Sequence, residues 1–131
     1  MARRIGRLCE IRYGSLRVED MSLYRTRFTS MLQDLHGKLV FVSDVRRCES
    51  VSAQVEEQGV TLMRAVTPRV ERAAMLVSPR SMFGMQLLRA TMRADSHVRR
   101  VFNEPKELEA WLREVLDVAE RYRLHEFLSE G

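Results

Sequence analysis

The sequence is poor in the residues from which reactive centres are usually built. It holds two cysteines and three histidines in 131 residues. Cys9 and Cys48 stand in unrelated contexts with no short pair spacing, which excludes a disulfide framework and a zinc site and fits reduced thiols in a cytosol. Cys48 has Arg46 and Arg47 beside it but no histidine to act as a base, so it reads as an ordinary loop thiol. His36, His97 and His125 lack an i,i+4 partner and any cysteine or carboxylate at ligand spacing, and no metal is expected. The six glycines are scattered and form neither G-x-G-x-x-G nor a P-loop, so no nucleotide cofactor is expected. Long apolar runs are also missing. The longest, Ala73 to Val77, is far too short to cross a membrane, and the basic opening Met1 to Leu8 is not followed by the apolar stretch of a signal peptide.

What remains is the balance of a folded, soluble domain: 45% hydrophobic and 31% charged residues, in a length that suits one unit over 1–131. The net charge of +4 is unevenly spread, with segments 1–27, 28–63, 64–100 and 101–131 carrying +4, −2, +6 and −4. Only Lys38 and Lys106 among the basic residues are lysine. Neighbouring segments of opposite sign can neutralise one another on folding, so the pattern does not by itself demand an anionic partner.

Periodicity divides the chain into alternating strands and helices. Ile5 to Tyr13 alternates as one bent strand and stops at Gly14-Ser15. Val18, Met21, Tyr24, Phe28, Met31, Leu32 and Leu35 recur at helical spacing, with Arg25, Arg27 and Asp34 opposite, and His36-Gly37 suggests a left-handed glycine cap. Leu39 to Val42 reads as a strand buried on both faces. A second helix spans about 50–66, with a stripe of Val51, Val55, Gly59, Leu62, Met63 and Val66, and ends before Pro68. Val70 to Val77 is the next strand. Ser78-Pro79 then offers a cap for a third helix over about 80–94, and Val98 to Phe102 a short strand. Pro105 opens a single long helix carrying Leu108, Trp111, Leu112, Val115, Leu116, Ala119 and Tyr122 on one face, with 119–131 as its extension. The order β-α-β-α-β-α-β-α predicts an α/β domain with a mostly parallel sheet of four to five strands and helices packed on it.

That order, read with particular residues, resembles the small STAS-like or SpoIIAA-like family, bacterial relatives of the anti-sigma factor antagonists. The resemblance lies in Gly14-Ser-Leu-Arg-Val-Glu-Asp20 after the first strand and in Leu39-Val-Phe-Val-Ser-Asp44-Val45 as a central strand ending in aspartate. It lies also in Arg99-Arg-Val-Phe-Asn103 leading to Leu108-Glu-Ala-Trp-Leu112, and it covers about residues 5–118. It implies a non-catalytic, cytoplasmic regulatory domain that works by protein–protein contact, as a homodimer or on a signalling partner. It also implies a switch phosphorylated on Ser or Thr where the helix after the aspartate strand begins. Here that region holds Asp44, Arg46, Arg47, Ser50 and Ser52, but the Asp-Ser-Ser-Gly pattern of the switched members is replaced by Val51-Ser52-Ala53.

The residues alone give those positions plainer roles. Asp44 has no second catalytic group near it in sequence and reads as a loop hydrogen-bond acceptor, while Ser50 and Ser52 read as helix caps. The basic stretch around Arg80, Arg89, Arg93, Arg99 and Arg100 has only Phe83 and Phe102 interleaved, so a solvated helix face is expected rather than nucleic-acid binding. Met82, Phe83, Met85, Leu88 and Met92 form an apolar arc wider than one buried face needs, which points to a contact with a partner. The rival expectation is a carrier of a small apolar, lipid-like ligand, with its pocket between the sheet and this methionine-rich helix.

Overall fold

A computed structural model of the chain describes residues 2–33, 36–94 and 97–130. Its amino-terminal segment is a hairpin rather than one bent strand: β1 (Ala2–Ile5) pairs antiparallel with β2 (Leu8–Arg12), Ile5 opposite Leu8. The two-residue turn starts at Gly6, whose φ of 60° is closed to most side chains. Alternation continues across so tight a turn, which is why periodicity alone reads one strand.

Helix α1 (Val18–Leu32) begins where the Asp20 carboxylate accepts the Arg17 N–H at 2.9 Å. The helical stripe assigned to it ends at Leu35, which with Asp34 of the opposite face lies outside the described residues; Gly37 is not in the left-handed region, so the expected glycine cap is not formed there. Strand β3 (Leu39–Asp44) follows, and helix α2 (Ala53–Val66) starts after Ser52. A 3-10 turn (Thr67–Arg69) leads into β4 (Val70–Leu76). Helix α3 (Met82–Arg93) starts later than the Ser78-Pro79 signal suggests. The Ser78 carbonyl accepts from both the N–H and the hydroxyl of Ser81, which makes 78–81 a turn that precedes the helix.

After β5 (Arg99–Phe102) the expected long helix is two, α4 (Pro105–Arg113) and α5 (Val118–Glu130). The break is a reciprocal capping box. Asp117 accepts the Glu120 N–H at 2.8 Å, and Glu120 accepts the Asp117 N–H at 3.0 Å, so Asp117-Val-Ala-Glu120 starts a new helix where the apolar pattern runs on unbroken. Tyr122, expected on the buried face, is largely exposed as a result.

The strands form one mixed sheet in the order β1-β2-β3-β4-β5, parallel from β2 to β5 with only β1 antiparallel, so this is a small α/β domain. Alternate side chains of the central strands face two different layers. Leu8, Val40, Val42, Ala74 and Leu76 pack against Leu108, Leu112, Leu124 and Phe127 of α4 and α5. Cys9, Ile11, Phe41, Ala73 and Met75 face α1, α2 and α3. Both faces of β3 are therefore covered, as its unbroken apolar run requires.

Polar groups lock the α5 layer in place. Glu10, fully buried on β2, takes two hydrogen bonds from Arg123, one of 2.8 Å. Glu120 accepts the Arg7 N–H at 2.7 Å, and the Arg7 guanidinium also reaches Glu71 and the Val115 carbonyl. A Cβ on Gly6 would lie 2.7 Å from the same Glu120 oxygen. Gly6→Ala should thus suffer both left-handed strain and a displaced carboxylate, and destabilise the fold by about 2 kcal/mol or more. Urea unfolding should show a lower midpoint with an unchanged slope.

Candidate functional site

The loop after β3 is the first candidate. Asp44 is buried, and its carboxylate accepts from Arg46 Nε at 2.9 Å, Arg46 Nη2 at 2.8 Å and the Arg46 N–H at 3.3 Å, with Arg12 Nε 3.5 Å away. Burial alone would raise its pKa. The hydrogen bonds and charge of Arg46, with Arg12 behind them, outweigh burial and hold the carboxyl below its ordinary range. Arg12 in turn lies over the Phe127 ring, 4.2 Å from its centre, and donates to the Phe127 carbonyl. Asp44 therefore ties the ends of β2 and β3 to α5 as an ion-pair acceptor.

Ser52 accepts the Val55 N–H at 3.2 Å and caps α2. Ser50 is exposed, and its carbonyl receives the Cys48 thiol at 3.9 Å. The loop thus brings Asp44 and Arg46 together but leaves Arg47, Ser50 and Ser52 facing outward. Both thiols are buried, and desolvation raises their pKa, that of Cys9 to about 12, so neither is poised as a nucleophile. Among the described residues no group of histidine, cysteine and carboxylate side chains is arranged to hold a metal, and no helix is long and apolar enough to cross a membrane.

The arc on α3 divides into two faces. Phe83, with Leu87 and Ala90, is buried toward the sheet and α2, which removes it from the expected partner surface. Met82, Met85, Leu88 and Met92 are 66%, 69%, 48% and 75% exposed and occupy the other side of the helix. No acidic residue lies on α3.

Several of the arginines that make 64–100 so basic have partners within the chain while staying at the surface, Arg89 among them at 60% exposed. Arg89 holds Glu56 of α2 through Nε at 2.9 Å, and Arg93 reaches both Glu56 and Glu57. The hydrogen bonds from Arg89, with help from Arg93, keep Glu56 ionised below its ordinary pKa. Arg72 and Arg100 flank the Trp111 ring at 4.8 and 5.1 Å. Arg99 donates to Thr67 at 2.7 Å, and burial lowers its pKa to about 10.

Between the sheet and helices α1, α2 and α3 lies a cavity of about 150 Å³. Ile11, Phe41, Ser43, Ala73 and Met75 form its floor, and Val55, Gly59, Leu62 and Val66 of α2 its roof. Its position is deeper than the sequence suggested: α3 contributes Phe83, Gln86, Leu87 and Ala90, while Met82, Met85 and Met92 point away. Gln86 is held by Val51, whose N–H it accepts and whose carbonyl it donates to, both at 2.9 Å. Burial keeps the Tyr13 phenol in its neutral form.

Comparison with protein-family models, with curated proteins and with solved structures finds no match for this chain.

Because the folded pKa of Asp44 lies below its unfolded value near 3.8, its contribution is complete above that value and vanishes as pH falls through the folded pKa. Asp44→Asn should therefore cost about 2 kcal/mol at neutral pH, and the difference from the parent should close in strong acid. Thermal unfolding of both proteins across the acid range measures this directly.

Proposed function

We propose that this chain is a non-catalytic, STAS-like regulatory domain of the cytoplasm that works by protein–protein contact, with the outer face of α3 as the contact. The observation that carries the reading is the row Met82, Met85, Leu88 and Met92, four large apolar side chains exposed on one helix. Methionine adapts its shape to different apolar surfaces at small cost, which suits a docking face better than a core. The exposed Arg80 and the lack of any acidic residue on α3 favour an apolar partner surface edged by carboxylates.

The resemblance carries the phospho-switch with it, and Ser52 is the position that fits. It is exposed, and it stands at the amino end of α2, where the helix dipole favours an added phosphate. Arg46 is turned toward Asp44, whereas Arg17 lines the same surface pocket as Ser50 and Ser52 and is a cation within that phosphate's surroundings.

Two experiments test these statements. Because both methionines are exposed, Met82→Gln with Met85→Gln should change unfolding free energy by no more than about 0.5 kcal/mol. In extracts of the native cells the parent should run as a complex larger than the monomer, and the double variant as the monomer; sedimentation velocity on the purified chain then separates a homodimer from another partner. An unchanged complex size, or a parent that runs as a monomer, defeats the proposal. At the other site, Ser52→Ala should lose about 1 kcal/mol of capping energy while Ser52→Asp retains it. Ser52→Asp should nonetheless alter the complex; if both variants assemble like the parent, Ser52 is a cap alone.

A further inference from the structure

We propose that the cavity beneath α2 is a binding site for a compact, uncharged ring compound bearing one hydroxyl or carbonyl group. The argument begins with volume left unfilled on both of its walls. Ser43 lies between Ile11 and Met75 in one cross-strand row of the floor, and Ala73 lies beside Phe41 in the next, so each row contains a small residue next to a large one. In the roof, Gly59 occupies the middle of the apolar stripe Val55, Leu62 and Val66. A Cβ at Gly59 would meet nothing within 4 Å. Glycine is among the poorest residues for a helix interior, and neither a positive φ nor a close neighbour calls for it here. A core packed for stability alone would close such a space.

The size and lining select the ligand. A cavity of about 150 Å³ admits a single-ring molecule, the scale at which an apolar protein cavity takes up benzene. Five aromatic rings border it, and they meet at tilted or edge-on angles: Tyr13 with Tyr24 at 5.5 Å, Tyr13 with Phe83 at 6.4 Å, and Phe28 with Phe41 at 5.8 Å. Rings so placed offer faces and edges to a further ring. The Ser43 hydroxyl in the floor supplies one polar contact. The charged groups at the margin are directed elsewhere, Glu56 to Arg89 and Arg93, and Arg99 to Thr67, so the site suits a neutral molecule. Entry falls on the seam of α1 and α2, where the lining residues Leu16, Tyr24, Gly59 and Leu62 are half-buried and α1 buries only Met21 completely.

The methionines provide the measurement. Met21, Met63 and Met75 line the cavity, whereas Met82, Met85 and Met92 lie on the outer face of α3, so methyl-labelled methionine separates the two surfaces in one NMR spectrum. Titration with p-cresol should shift the first three signals and leave the last three in place. Toluene should bind about fivefold more weakly for want of a hydrogen bond, and Ser43→Ala should abolish that preference. Gly59→Leu should retain the parent's methionine pattern while losing the p-cresol shifts. If it does not fold, Gly59→Ala should fold and bind p-cresol several-fold more weakly. Shifts confined to the α3 methionines, no shifts at all, or undiminished binding by a folded Gly59 variant would overturn the site. Tighter binding of 4-methylbenzoate than of p-cresol would overturn the assignment of an uncharged ligand. None of these outcomes depends on the α3 contact.

Discussion

Every other feature of this fold depends on the need to bury a parallel sheet on both faces. A strand such as Leu39-Val-Phe-Val42 has no polar side to offer water, so layers must cover it above and below. The two layers are built differently. Helices α4 and α5 meet their face with leucine and phenylalanine and are fastened at their edges by ion pairs whose carboxylates are buried, Glu10 with Arg123 and Glu120 with Arg7. On the opposite face α1, α2 and α3 close over the strands but leave a space under α2. Both candidate surfaces, the cavity and the outer face of α3, belong to the layer that leaves this space.

The charge pattern has the same logic. A buried guanidinium or carboxylate is tolerated only with a partner, and removing one member of such a pair strands the other. Segments that look strongly basic or acidic along the chain are brought together so that Arg89 and Arg93 meet Glu56, and Arg72 meets Glu114. Arginine serves this work better than lysine because its planar fork makes two hydrogen bonds at once and stacks on rings such as Trp111 and Phe127.

The strongly periodic elements were legible from residues alone: β3, β4 and β5 stand where their patterns place them, and α2 ends where expected but starts at Ala53 rather than near residue 50, because Ser52 caps it and leaves Val51 in the loop. Three features escaped for identifiable reasons. The hairpin at Gly6 preserves alternation, so only a turn glycine marked it. The division of α4 from α5 was written in Asp117 and Glu120, a cap-and-partner spacing hidden under an apolar stripe that continues past it. The cavity was legible only as a pocket expected between the sheet and the methionine-rich helix; its place beneath α2 was not, because a missing side chain leaves no pattern: Gly59 sits within an ordinary helical stripe, and Ser43 and Ala73 within ordinary strands. The methionine arc was readable in outline, but only packing shows that Phe83 turns inward while its neighbours do not.

The latch between Glu120 and the turn at Gly6 and Arg7 has a consequence for synthesis. Helix α5 supplies Leu124, Phe127 and Arg123 to the face of a sheet whose first strands are made more than a hundred residues earlier. Until α5 leaves the ribosome that face stays open, with Glu10 lacking the Arg123 hydrogen bonds and Leu8 and Val40 uncovered. A nascent chain in that condition is an aggregation hazard and a natural client for chaperones. The final step of its folding therefore waits for the emergence of α5 rather than for the formation of the sheet.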